Sequence, residues 1–110
     1  MTARNPAARG KADSNQPAIK QAIEALGYPV MDLSAAGGGV EDLLVGISRM
    51  ELSADGSRVV SHYWVPVECK VRPISFTEAQ LKWRARTHGW PRITAVSAQD
   101  AVDQLRRMTG

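Results

Sequence analysis

Two long strand-forming runs on either side of one tight turn dominate this 110-residue chain. DLLVGISRMEL begins at Asp42, a second run extends from Arg58 to Val71, and Ala54-Asp55-Gly56-Ser57 between them supplies hairpin-turn chemistry. The two runs are expected to pair antiparallel. That pairing brings Val67-Glu68-Cys69-Lys70-Val71, at the far end of the second run, beside the start of the first at Asp42. Pro66 interrupts the second run just before this motif, where a central strand should not carry proline, and a bulge is expected there.

Caps and periodicity mark the remaining elements. After Asp13 or Ser14, either a good N-cap, the apolar residues Ala18, Ile19, Ala22, Ile23 and Leu26 recur at helical spacing. Pro17 is accepted in a first turn, and Gly27 stands where a left-handed residue ends a helix. Residues 28 to 34 read as a short strand, and Ala35 to Gly39 as a permissive turn that lets backbone approach something closely. Thr77 and Gln80 have the spacing of a capping box and open a second helix that stops at Gly89. Residues Pro91 to Val96 fit a final strand, and Ser97 with Asp100 begins a last helix with the stripe Ala98, Ala101, Val102, Leu105 and Met108. The order is αβββαβα: one domain over residues 13–110, preceded by a flexible basic arm over residues 1–12.

A single cysteine, Cys69, excludes an intramolecular disulfide and a zinc-type cluster, and is expected to pack as a small buried residue. No apolar run is long enough for a membrane span and the N-terminus lacks a secretory pattern, so a soluble cytoplasmic protein is expected. The net charge of +3 is compatible with a polyanionic partner. His62 and His88 have no metal-site spacing. Trp64, Trp83 and Trp90 read as core or interface anchors, with base stacking as the alternative.

Alternation along the strand places Glu68 and Lys70 on one face and Val67, Cys69 and Val71 on the other. With Asp42 alongside, two carboxylates and one ammonium converge at one end of a sheet, next to a glycine-rich turn that leaves space for a ligand. Two close carboxylates repel, and a hard divalent cation such as Mg²⁺ or Mn²⁺ relieves the repulsion. Lys70 can then orient or help deprotonate an attacking water and stabilise charge building up on a phosphate. The plainer reading is a surface ion-pair cluster.

GGGVEDLLVG, followed after the hairpin by VECKV and then SFTEAQLKW, resembles the PD-(D/E)XK nuclease superfamily, most closely its small phage and bacterial members of the VRR-NUC and Holliday-junction-resolvase-like type. The resemblance implies a restriction-endonuclease-like α/β core, a central mixed four-stranded sheet flanked by helices. It implies Asp42 and Glu68 as metal-binding carboxylates, the main-chain carbonyl of Cys69 as a further ligand, Lys70 as the catalytic lysine and Gln80 as a helix residue reaching toward the site. The position of the family's first-helix Glu falls at Asn15 or Gln16, with Gln16 the candidate ligand on the face of Ile19 and Ile23, and Glu41 replaces the proline that often precedes the Asp. The implied activity is a Mg²⁺-dependent endonuclease on junction or branched DNA, without organic cofactor, acting in the host cytoplasm if phage-encoded. A homodimer would put two sites on two strands, with the hairpin around Asp55-Gly56 as interface. Arg4, Arg9, Lys11, Lys82, Arg84 and Arg86 are candidates to track DNA phosphates, although the helical series is also what a solvated face looks like. The alternative function is a non-catalytic DNA-binding or assembly module with a nuclease-like fold.

Overall fold

The computed structural model describes residues 14–109. Helix α1 (Gln16–Ala25) is followed by strands β1 (Val30–Asp32), β2 (Leu43–Leu52) and β3 (Arg58–Cys69). Helix α2 (Glu78–Arg86), strand β4 (Ile93–Ala95) and helix α3 (Ala98–Thr109) complete the expected order. β2 and β3 form the hairpin, β1 adds antiparallel to β2, and β4 adds parallel to β3. The result is an α/β domain with one mixed four-stranded sheet in the order β1-β2-β3-β4.

Strand alternation sorts the faces of this sheet. Leu43, Val45 and Ile47 of β2, Val65, Val67 and Cys69 of β3, and Ile93 and Ala95 of β4 form a core with Ile19 and Ile23 of α1 and Ala101 and Leu105 of α3. Their burial removes the apolar surface of one sheet face from water and is the main drive for folding. The α1 stripe is narrower than expected, because Ala18 and Leu26 are exposed and Ala22 is half-buried. Gly27 ends this helix at a φ of 92°, as predicted. At its start the N-cap position is Asn15, with no side-chain capping bond; Asp13 lies outside the described residues. The Asn15 amide works at longer range instead: Nδ2 donates to the main-chain oxygens of Lys70 at 2.9 Å and Val96 at 3.0 Å. The start of α1 is thereby tied to the chain just beyond β3 and β4.

No bulge forms at Pro66. The β2–β3 register runs one-to-one from Leu43↔Val67 to Leu52↔Arg58, with Pro66 opposite Leu44. The direction of the missing donor explains this. Cys69 donates its N–H toward β2 and Lys70 donates toward β4, so alternation turns the Pro66 nitrogen toward β4. Pairing on that side begins only at Val67↔Ile93, and the proline removes no ladder bond.

Past Ile47 the hairpin runs off the core, leaving Met50, Leu52, Val59 and Val60 between 45 % and 74 % exposed. Its turn is closed by Ser53 N–H to the Ser57 carbonyl at 2.8 Å, with Asp55 Oδ1 accepting from Ser57 N–H at 2.9 Å. Among the described residues no helix is long and apolar enough to cross a membrane.

Candidate active site

One step beyond the Leu43↔Val67 pair, Asp42 falls opposite Glu68. Asp42 Oδ2 accepts the Cys69 N–H at 2.8 Å, so a carboxylate takes the place of a main-chain carbonyl and is held against β3. Glu68 lies on the sheet face away from the core, beneath α2. Lys70 follows the end of β3 but stays in register, donating its N–H to the Ala95 carbonyl at 2.9 Å. Val71, expected on the core face, is 39 % exposed instead, because strand alternation stops before it.

Gln80 joins the two charges. Its Oε1 accepts from Lys70 Nζ at 2.8 Å and its Nε2 donates to Glu68 Oε2 at 2.9 Å, while Lys70 Nζ and Glu68 Oε2 are 3.7 Å apart. The same Oε1 accepts the Thr77 N–H at 2.9 Å, and Thr77 Oγ1 accepts the Gln80 N–H at 3.1 Å. The predicted capping box therefore forms, and its Gln caps α2 and bridges the ion pair at once. The Phe76 ring presents its negative face to both Lys70 Nζ, 4.9 Å from the centroid, and Arg84 Cζ at 4.1 Å.

Burial removes the surface-cluster reading. Asp42 is 7 % exposed, Glu68 3 % and Lys70 5 %, whereas a solvated ion pair at a strand end would keep its charges in water. Charges this deep persist only with partners.

The glycine-rich turn has a different neighbour from the one expected. The backbone of Gly39 is approached by the first turn of α2: a Cβ there would overlap Ala79 C and O and lie 2.7 Å from Gln80 N. Its φ of 81° also disfavours any L side chain. Gly39→Ala is expected to destabilise the domain by at least about 1–2 kcal/mol from backbone strain alone, and to push α2 outward. A urea melt, together with the fluorescence of Trp83 on α2, measures both effects.

Gln16, the candidate ligand, is 7 % exposed, and its Nε2 donates to Asp32 Oδ2 at 3.2 Å. Asp32 pairs with Leu43, which places it on the α1 side of the sheet at the same end as Asp42. The Ser34 hydroxyl and then the Ser34 N–H, assisted by Gln16 and Lys20, outweigh desolvation and hold the Asp32 carboxyl below its ordinary 3.8. A lowered carboxyl stabilises the fold above that ordinary value and loses the contribution as pH falls through the native one. Asp32→Asn is therefore expected to be less stable than the parent at neutral pH, with the two converging in acid, as read by urea melts at both pH values. Asn15, the other first-helix position expected near the site, leaves its buried Oδ1 without a hydrogen-bond partner among the described residues.

Of the basic candidates, Lys82 and Arg86 are exposed on α2. Arg84 instead turns inward, donating to Thr94 Oγ1 at 2.8 Å. Burial and then the Arg92 cation press its pKa below the ordinary guanidinium range, while Glu41 and Glu68 oppose them, which locates Arg84 among these charges. Arg4, Arg9 and Lys11 lie outside the described residues. Cys69 is a buried free thiol, as expected, and His62 Nδ1 pairs with Ser48 Oγ at 2.7 Å.

Sequence reasoning missed a second buried group. Glu41 is 3 % exposed; its Oε1 accepts from Trp83 Nε1 at 2.8 Å and its Oε2 lies 3.2 Å from Arg92 Nη1. Arg92 Nη2 also donates to the Thr87 carbonyl at 2.8 Å. The only sequence signal was an acid beside Asp42 in a run otherwise entering a buried strand. With Gln80 and Arg84, these bonds fasten α2, which buries none of its own residues, to the sheet.

Comparison of the chain with protein-family models, with curated proteins and with solved structures returned no match.

Proposed function

We propose that this domain is a metal-dependent endonuclease hydrolysing DNA phosphodiester bonds, with a restriction-endonuclease-like core and a preference for junction or branched DNA. The observation that carries the reading is the way Gln80 fills the space between Glu68 and Lys70. Its amide puts the positive end of a dipole on the carboxylate and the negative end on the ammonium. A cation and a phosphate oxygen would satisfy the same two groups in the same sense.

The residues fit a hard divalent cation. Asp42 and Glu68 supply carboxylate oxygens from adjacent strands, the Cys69 carbonyl is a third candidate, and the orphaned Asn15 Oδ1 is an oxygen donor beside the Lys70 main chain. Mg²⁺ is commonly held by one or two carboxylates together with substrate phosphate. Such an ion, when bound, supplies Lewis-acid polarisation of the phosphate and lowers the pKa of a bound water.

The chain's own residues have the remaining roles. Lys70 Nζ, positioned by Gln80 and Phe76, holds a point charge next to Glu68 where negative charge grows on the phosphate, and orients the attacking water. α2 covers the group, so DNA gains access as Gln80 releases Glu68 and Lys70 while the Thr77 half of its capping box persists. Lys82 and Arg86 on the exposed face of α2 contact phosphates. Two copies meet along the projecting hairpin, where Met50, Leu52 and Val60 share one exposed face and form the kind of apolar surface that marks an interface.

One observation favours a second reading, a non-catalytic DNA-binding or assembly module: Asp42, Glu68 and Lys70 are all buried and held by protein partners. Supercoiled, linear and four-way-junction DNA incubated with Mg²⁺, Mn²⁺ or EDTA separates the two. The nuclease reading expects cutting with metal and none with EDTA, fastest on the junction; binding without cutting in either metal assigns the module.

A further inference from the structure

Beyond the Asp42–Glu68–Lys70 group, the same face of the sheet carries a cleft of about 180 Å³ lined by Glu41, Pro66, Trp83, Thr87, Trp90 and Arg92. Pro66 lies two residues before Glu68 on β3, a step of about 7 Å along a strand, so the cleft adjoins the carboxylate. Its volume admits one planar heterocycle and not a base pair. Trp83 is fixed by its indole bond to Glu41, which turns the ring's polar edge inward. The Trp90 backbone is anchored, its N–H donating to the Thr87 carbonyl at 3.0 Å. The Trp90 residue is nevertheless 71 % exposed. It is no core anchor; it lines the cleft while leaving most of its surface open for a ring to stack on.

Local charge narrows the choice of occupant. Residues 70–92 carry Lys70, Arg72, Lys82, Arg84, Arg86 and Arg92 against Glu78; Glu68 and Glu41 match Lys70 and Arg92, and the cations left exposed are Arg72, Lys82 and Arg86. An apolar peptide or a second copy of the chain has no use for that excess, whereas single-stranded nucleic acid binds through cations along its backbone and aromatic faces under its bases. We infer that the Trp83–Trp90 cleft receives one unpaired nucleobase, stacked on Trp90, from a strand whose phosphate reaches the Glu68–Lys70 group. Bases inside a continuous duplex have no free face to offer, so the cleft selects flayed, single-stranded or junction DNA. This names the substrate feature behind the nuclease reading and rests on it.

The experiment reads binding without cutting. In EDTA, a short single-stranded oligodeoxynucleotide is titrated into the full chain while tryptophan fluorescence is followed, beside an abasic strand of equal length. Trp90→Ala and Trp90→Phe are compared with the parent, and circular dichroism confirms their fold. Expected are quenching in the parent, about 5- to 150-fold weaker binding in Trp90→Ala, the equivalent of one lost stack, and near-parental binding in Trp90→Phe. The abasic strand should bind parent and Trp90→Ala equally. Equal affinity of Trp90→Ala and parent for the base-bearing strand overturns the proposal, as does an abasic strand that binds the parent just as tightly. Self-association lost in Trp90→Ala without any oligonucleotide effect overturns it too, in favour of a second copy. Failure of the nuclease reading shows separately: stacking in EDTA with no cutting in metal keeps this site and removes the enzyme.

Discussion

Lys70→Ala is expected to lower metal-dependent DNA cleavage by about 10²- to 10⁴-fold, the range for a positioned proton-transfer group or a preorganised charge facing the transition state. Lys70 Nζ is held on three sides, by Gln80 Oε1, the Glu68 carboxylate and the Phe76 ring, so its charge is placed before substrate arrives. Removing it also takes the nearest cation from the buried Glu68, and the variant will be less stable. Single-turnover nicking of supercoiled DNA well below the melting range, with a urea melt in parallel, separates the two losses. Lys70→Arg keeps the charge but replaces a compact ammonium with a planar fork, so it is expected to recover stability more than rate.

The largest effect on stability is expected at the second buried group. Arg92→Met removes the ion-pair partner of the Glu41 carboxylate, 4 % exposed at its side chain, and leaves it only the Arg84 cation nearby, at a cost of about 3–5 kcal/mol. That is a large share of the roughly 5–15 kcal/mol that holds a domain folded. Adding Glu41→Gln removes the stranded charge yet keeps an oxygen for the Trp83 indole N–H, and should restore most of the loss. Urea melts of the parent, both single variants and the double variant give the coupling directly.

Much of this fold is legible in local chemistry. The hairpin follows from two strand-forming runs around Asp55-Gly56, α2 from the Thr77–Gln80 box and α3 from Ser97 with Asp100, because each signal acts within a few residues. The placement of Asp42 opposite Glu68 follows from pairing those runs. The proline at 66 misled because its consequence depends on which neighbour its nitrogen faces, and β4 is set by residues far along the chain. Helical periodicity could not show that Arg84 turns inward while Lys82 and Arg86 stay out, since α2 is fastened by polar bonds rather than by an apolar stripe. Nor could strand alternation warn that Val71 is exposed or that Glu41 is buried, because both lie just outside the regular ladder. The part of the candidate site most visible in the sequence was its spacing; its burial under α2 and the bridging role of Gln80 required three-dimensional contacts.

The nuclease account meets its most direct test in Asp42→Asn. Asparagine keeps an oxygen to accept the Cys69 N–H, so the end of the β2–β3 ladder is retained while the charge that would hold a cation is removed. Single-turnover cleavage of junction DNA in Mg²⁺, measured on parent and variant whose urea melts show both folded, should find a cutting parent and a variant that binds the DNA but no longer cuts it. A folded variant that cuts at the parental rate, or a parent that cuts no DNA in Mg²⁺ or Mn²⁺, would contradict the account.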